Sequence, residues 1–345
     1  MPATDLSMAM PMSVTAPKGR ILCVDDEPNI LRALCWLLQK EFEVVTATSG
    51  QEALELVRRD DFDVVISDHR MPGMSGVDLL RQVRLLAPRA MRILLTGYSD
   101  LDAVLQSVNE SEIFRYVTKP WNVNELPRVV AQAAEIARGH QDWSDLPVQP
   151  AAPEPKPGEA KILVLDDDLE IHTTVEQCAG DLAEVVHVSN IAEAIHYLHE
   201  DSIGVIVAET AFGSVDLTRL ICFLKQRHPQ VVSVVLSEEA GADTVMKLVN
   251  QGQVFRVVAK PVQSVRLRET LRTALVRSSE IKQRPGLARR YQVEDLPMEE
   301  LDSLRADIEA ATRPRTSSEA GVGTSFGQRM SGIFRRFFMD AENHA

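Results

Sequence analysis

The chain lacks most of the features that would assign it to a class at once. Its four cysteines in 345 residues, Cys23, Cys35, Cys178 and Cys222, show no CxxC or metal-type spacing. That pattern excludes a disulfide framework and makes a reducing cytoplasm the expected location. Basic residues are outnumbered, with 37 Lys and Arg against 50 Asp and Glu, a net charge of −13. Nucleic-acid binding rests on a basic footprint, so no direct nucleic-acid partner is expected. No uninterrupted apolar stretch is long enough to span a bilayer. The opening residues, MPATDLSMAMPMSVTAPKG, carry neither a basic leader nor a sustained apolar run, so no signal peptide is expected. What remains, 45% hydrophobic and 25% charged, is ordinary globular composition. Its length fits about two domains plus tails.

Internal repetition supports that count. Asp166 and Asp167 follow Asp25 and Asp26 by 141 residues, and Glu209 follows Asp68, Ser237 follows Thr96 and Lys260 follows Lys119 by the same offset. A constant offset across separate motifs means tandem copies of one domain. Residues 1–18, small, polar and proline-containing, are expected to be disordered. The first domain is expected over 19–140 and the second over 160–283. The spacer 141–159 carries five prolines and reads as semi-rigid and extended. Residues 284–345 form a tail with short helices.

Within the first copy, short apolar strands alternate with helical spacing. Strands are expected at 20–24, 44–48, 63–67, 92–95 and 114–118, and helices over 29–40, around Ala53 to Val57, over 77–86 and 100–109, and from about Asn124. Ser49 is placed to cap the second helix. Pro127 falls in a first turn, where proline is tolerated. The alternation predicts an α/β fold of two doubly wound, flavodoxin-like domains, each with a five-stranded parallel sheet. Strands that are apolar throughout agree with burial on both faces.

Functional groups in such folds gather at the carboxyl ends of the strands. Asp25 and Asp26 end the first strand, Asp68 the third, Thr96 the fourth and Lys119 the fifth. Clustered carboxylates repel unless a cation neutralises them, and all-oxygen ligation favours Mg²⁺. Asp68 is then a candidate carboxylate nucleophile toward a phosphoryl group, with Lys119 and the Thr96 hydroxyl holding its oxygens. A flavin- or nucleotide-binding module of the same fold needs a phosphate-cradling loop after the first strand, where CVDDEP is acidic. Each element alone has a plainer reading, the acidic pair as a helix cap and Tyr116 as a core aromatic. Their co-occurrence is what points to a site.

CVDDEP, VVISDHRMPGMSG, ILLTGYSD and FRYVTKPW resemble the receiver domain of bacterial response regulators. The resemblance covers about residues 19–140 and again about 160–282. It implies that Asp68 accepts phosphate from a sensor histidine kinase or phosphotransfer protein. It further implies that Asp25, Asp26, Asp68 and the Arg70 carbonyl hold Mg²⁺, that Thr96 and Tyr116 act as a coupled switch, and that Lys119 pairs with the phosphoryl group. A cis bond is implied at Pro120.

The second copy departs at its centre. VIVAETAFGS puts Glu209, one methylene longer, where the first copy has Asp68, and Val257 stands where Tyr116 would be. The second pocket, Asp166, Asp167, Glu209, Ser237 and Lys260, is therefore expected not to be phosphorylated. Glu209 is read as marking an inert interaction domain in preference to a constitutive phosphoaspartate mimic. In the tail, residues 298–311 read as an acidic helix lying back on its domain. Residues 326–339 form a basic amphipathic segment suited to a partner groove or self-packing, and less to an anionic membrane surface. With no helix-turn-helix or catalytic domain recognised after residue 283, the expected function is a phosphorelay regulator working through protein contacts. It would have no DNA-binding or enzymatic output beyond its own phosphoryl chemistry, an unknown effector protein as partner, and a homodimer as one assembly. A phosphate sink and a phosphorylation-independent scaffold are the alternatives.

Overall fold

The computed structural model describes residues 19–97, 113–139, 158, 160–199, 202–238, 242–284, 287–288 and 296–312. The expected helix over 100–109, the leading segment 1–18, nearly all of the spacer 141–159 and the terminal segment 326–339 lie outside the described residues.

The first unit runs β1 (Arg20–Val24), α1 (Pro28–Leu38), β2 (Glu43–Ala47), α2 (Gly50–Arg59), β3 (Val64–Asp68), α3 (Gly76–Leu86), β4 (Met91–Thr96), β5 (Arg115–Thr118) and α4 (Glu125–Arg138). Its five strands are parallel, in the order β2-β1-β3-β4-β5. Successive strand residues point to opposite faces, so the apolar run of β1 serves two cores. Ile21 and Cys23 pack with Leu34 of α1 and Val130 of α4, while Leu22 and Val24 pack with Leu54 of α2 and Leu79 of α3. Helix α2 starts as expected. The Ser49 hydroxyl accepts the Glu52 N–H at 3.3 Å, and the Glu52 carboxylate accepts the Thr48 N–H at 2.8 Å. Such reciprocal pairing satisfies amide groups that the first helical turn leaves without partners.

The second unit runs β6 (Lys161–Leu165), α5 (Leu169–Ala179), β7 (Glu184–His187), α6 (Ile191–His199), β8 (Ile203–Ala208), β9 (Ala211–Phe212), β10 (Val215–Asp216), α7 (Leu217–Arg227), β11 (Val232–Ser237), α8 (Ala242–Asn250), β12 (Arg256–Ala259) and α9 (Ser264–Gln283). Its parallel sheet reads β7-β6-β8-β11-β12, the same order as the first. The capping pattern recurs, with the Glu193 carboxylate accepting from Ser189 N–H at 3.0 Å and Glu193 N–H donating to Asn190 at 2.9 Å. One element has no counterpart in the first unit. The short antiparallel pair β9–β10 folds the loop after β8 into a hairpin, with Gly213 at φ 59° at its tip.

A last helix, α10 (Met298–Thr312), lies back on the second unit, as expected for the acidic stretch. Leu304 and Ile308 are fully buried in its core, and Lys247 on α8 pairs with Glu300 at 2.7 Å. The two units also touch. Val245 and Val249 of α8 are buried in the same cluster as Leu80, Leu94 and Tyr116 of the first unit. Among the described residues, no helix is long and apolar enough to cross a membrane.

Candidate functional site

The strand ends of the first sheet converge as the sequence predicts. Asp25 follows β1 and is fully buried, Asp68 closes β3, and Thr96 closes β4. Lys119 follows β5, and its backbone N–H donates to the Thr96 carbonyl at 2.8 Å, tying the two strand ends together. Its ammonium donates to Asp25 Oδ2 at 2.7 Å and lies 2.5 Å from Asp68 Oδ1. Burial works against the Lys119 charge, but hydrogen bonds to Asp25 and Asp68 outweigh it and hold the pKa above the ordinary lysine value. The second oxygen of Asp68 accepts the Arg70 N–H at 2.7 Å, and Asp25 Oδ1 accepts the Glu27 N–H at 2.9 Å. Thr96 is buried, with its hydroxyl donating to the Gly97 carbonyl at 3.3 Å. The Lys119–Pro120 bond is cis, as the resemblance implied.

Not every expected residue joins this cluster. Asp26 is exposed, and Arg70 contributes its N–H rather than its carbonyl to Asp68. Among the described residues, no three His, Cys, Asp or Glu side chains close on one metal-sized point. Two carboxylates close instead on the Lys119 ammonium, a cation bound by hard oxygen donors. That donor chemistry fits Mg²⁺. Tyr116 is buried in a cluster that includes Val245 and Val249 of α8. His69, beside the acidic centre, went unnoticed in the sequence. Its ring is buried and its Nδ1 has no hydrogen-bond partner among the described residues.

The second unit repeats the arrangement and closes it. Lys260 lies 2.9 Å from both Asp166 and Glu209, and burial works against its charge while hydrogen bonds to Glu209 and Asp166 hold its pKa up. The Lys260 N–H donates to the Ser237 carbonyl at 2.9 Å, as Lys119 does to Thr96. The other Glu209 oxygen accepts from the Thr210 N–H at 2.9 Å and its hydroxyl at 3.2 Å. Asp167, unlike Asp26, is held by the hairpin, with the Gly213 N–H donating to it at 2.8 Å. Every carboxylate of this pocket thus has a partner within the protein.

The family model for the response regulator receiver domain matches residues 21–131. Residues 21–131 form a response regulator receiver domain. Similar proteins include the hydrogenase transcriptional regulatory protein HoxA of Cupriavidus necator, 38% identical over 39% of this chain and 29% of its own length. The HoxA of Bradyrhizobium diazoefficiens is 36% identical over 35% and 25%, and the regulatory protein AtoC of Escherichia coli 36% identical over 34% and 26%. The chain thus spans under a third of the length of these relatives. Among solved structures, the signal receiver domain of an HD domain-containing protein from Pseudomonas fluorescens is 36% identical, with a TM-score of 0.35, over 36% of this chain and 99% of that one.

These relatives correct three expectations. A regulator working by protein contacts without DNA-binding or catalytic output, the absence of enzymatic activity beyond its own phosphoryl chemistry, and the absence of a nucleic-acid partner all conflict with relatives named as transcriptional regulatory proteins. The reason is physical. Net charge averages over the whole chain and does not reveal where a regulator contacts nucleic acid, and a receiver domain is a module whose fold does not state the output it serves.

Proposed function

We propose that the receiver domain is the phosphoryl-accepting switch of a two-component regulator of transcription, with Asp68 as the acceptor. The observation that carries this reading is the Lys119 ammonium shared between Asp25 and Asp68 at the strand ends. A carboxylate oxygen of Asp68 would attack the phosphorus of a phosphohistidine on a sensor kinase or phosphotransfer protein. The P–N bond breaks, and its electron pair stays on the histidine nitrogen. Lys119 then pairs with the transferred group, and the Thr96 hydroxyl turns toward it, with Tyr116 as the coupled aromatic. Receiver domains generally bind Mg²⁺, which supplies charge neutralisation for the transfer; here Asp25, Asp26, Asp68 and the Arg70 carbonyl would hold it. The role in transcription rests on the names of the relatives.

We read the second unit as a degenerate receiver. The 141-residue offset, the shared strand order and the matching Lys260–Ser237 backbone bond support that reading. Glu209 has both oxygens engaged and is one methylene too long for the attack geometry, so the second pocket would stay silent.

Intact mass after treatment with acetyl phosphate and Mg²⁺ tests both readings. One added phosphoryl group, lost in Asp68→Asn, is the expected result. A group that survives in Asp68→Asn would place the acceptor elsewhere. Transcript levels in cells carrying Asp68→Asn test the regulatory role, and a profile matching wild type would remove it.

A further inference from the structure

The β5 edge of the receiver domain is occupied by a helix of the second unit. Strand β5 lies at the end of the sheet, so among the described residues one side of it has no neighbouring strand. The Asn250 side chain fills that place. Its Oδ1 accepts the Tyr116 N–H at 2.9 Å and its Nδ2 donates to the Tyr116 carbonyl at 2.8 Å. The Gln253 side-chain amide donates to the Phe114 carbonyl at 2.9 Å. On the same helix, Val245 and Val249 are buried in one cluster with Ile113 and Tyr116.

The helix is held from behind as well. Leu248 belongs to the core of the second unit, and Lys247 pairs with Glu300 of α10. The second pocket is closed on itself by Lys260, Thr210 and Gly213. The receiver side is different. Three residues after Tyr116, Lys119 is bonded to Asp25 and Asp68. Strand β5 is therefore tied at its end to the acidic pocket and along its edge to α8. A change in what Lys119 pairs with would shift the peptide that Asn250 grips, and hydrogen bonds weaken steeply with distance and angle.

We propose that α8 is an internal ligand of the β5 edge, seated in the resting state and released when Asp68 carries a phosphoryl group. The proposal rests on the reading of Asp68 as acceptor. Release uncovers Tyr116 and the edge of β5 on one unit, and the Val245–Val249 face on the other. Because coupling between sites is reciprocal, loosening α8 must tighten the binding of a phosphoryl mimic at Asp68.

The test uses the full chain and beryllium fluoride with Mg²⁺ as the probe. Its affinity is measured first, on wild type and Asp68→Asn. Hydrogen exchange is then followed in peptides covering 113–118 and 242–253. With the probe bound, exchange in both peptides should rise about tenfold in wild type and not in Asp68→Asn, a factor within the usual range for coupled sites. Asn250→Ala, and independently Val249→Glu, should tighten the probe by a similar factor. Saturating probe with both peptides still protected overturns the proposal, as does an affinity unchanged or weakened in Asn250→Ala. Failure of wild type to bind the probe at all would bring down the acceptor reading itself, and the coupling with it.

Discussion

Gly76 lies against the main chain of Asp68 so closely that a Cβ on it would fall 1.9 Å from the Asp68 carbonyl oxygen. The same atom would come within 2.8 Å of the Ser67 hydroxyl. Helix α3 therefore begins in direct contact with the strand end that carries the acidic centre. Leu217, 141 residues later, occupies the corresponding place in the second unit and is fully buried. Backbone cannot yield cheaply, so Gly76→Ala must push α3 away from β3. We expect a loss of about 2 kcal/mol in urea denaturation, typical of overpacking, together with slower phosphorylation of Asp68. Unchanged stability would mean that the loop over residues 69–75 absorbs the methyl group.

Lys119 is the cation for two buried carboxylates. In Lys119→Met, Asp25 and Asp68 would be left facing one another without it. Breaking a buried pair from one side costs about 3 kcal/mol or more, and we expect that order of destabilisation at neutral pH without divalent cation. Millimolar Mg²⁺ should restore part of it, and restore more than it adds to wild type. Thermal melts with and without Mg²⁺ check this; equal Mg²⁺ effects on the two proteins would argue that the metal does not use these carboxylates.

Lys225 gives a dependence on pH. It is buried on α7, donating to the carbonyls of Pro229 and Val231 at 3.1 and 3.3 Å, and burial pushes its pKa down to about 7, with Arg277 adding to the shift. Between that value and the ordinary lysine pKa of 10.5, the unfolded chain binds the proton and the folded chain does not. Stability from this group therefore rises with pH across that window, and the penalty is largest below about 7. Wild type should gain on Lys225→Met as pH increases from 7 toward 10. A difference flat with pH would show that the ammonium stays charged in the folded protein.

Glu209→Asp tests how far the second pocket has closed. Shortening the side chain restores the acidic residue type of the first pocket, yet Asp167 would still be held by Gly213 and the hairpin would remain over the site. Combined with Asp68→Asn, this substitution should leave the chain without acetyl-phosphate labelling. One added phosphoryl group in the double variant would assign the silence to the Glu209 side chain alone.

Strands and pocket were legible in the sequence for one reason. The strands that carry the pockets are mostly short apolar runs that end abruptly in a charged or hydroxyl residue, as Leu22–Cys23–Val24 gives way to Asp25. Boundaries moved by one or two residues, so that Asp68 and Thr96 fall inside β3 and β4, a normal uncertainty at element ends. Hairpin β9–β10 could not be read, because two-residue strands carry no periodicity. The seat of α8 was equally hidden. Val245, Leu248 and Val249 satisfy the helical pattern whichever unit they face. Nothing local tells that Asn250 will meet a peptide 134 residues earlier. The regulatory output was not legible, because no helix-turn-helix or catalytic pattern is recognised after residue 283 and total charge does not report a local patch.

An outer strand with open amide and carbonyl groups is a template on which other polypeptides can assemble. Asn250 closes that template at Tyr116 with a side chain standing in for a missing strand. The arrangement is as much a guard against unwanted polymerisation as a means of holding two units together, so a chain that keeps β5 uncovered for long would be exposed to aggregation.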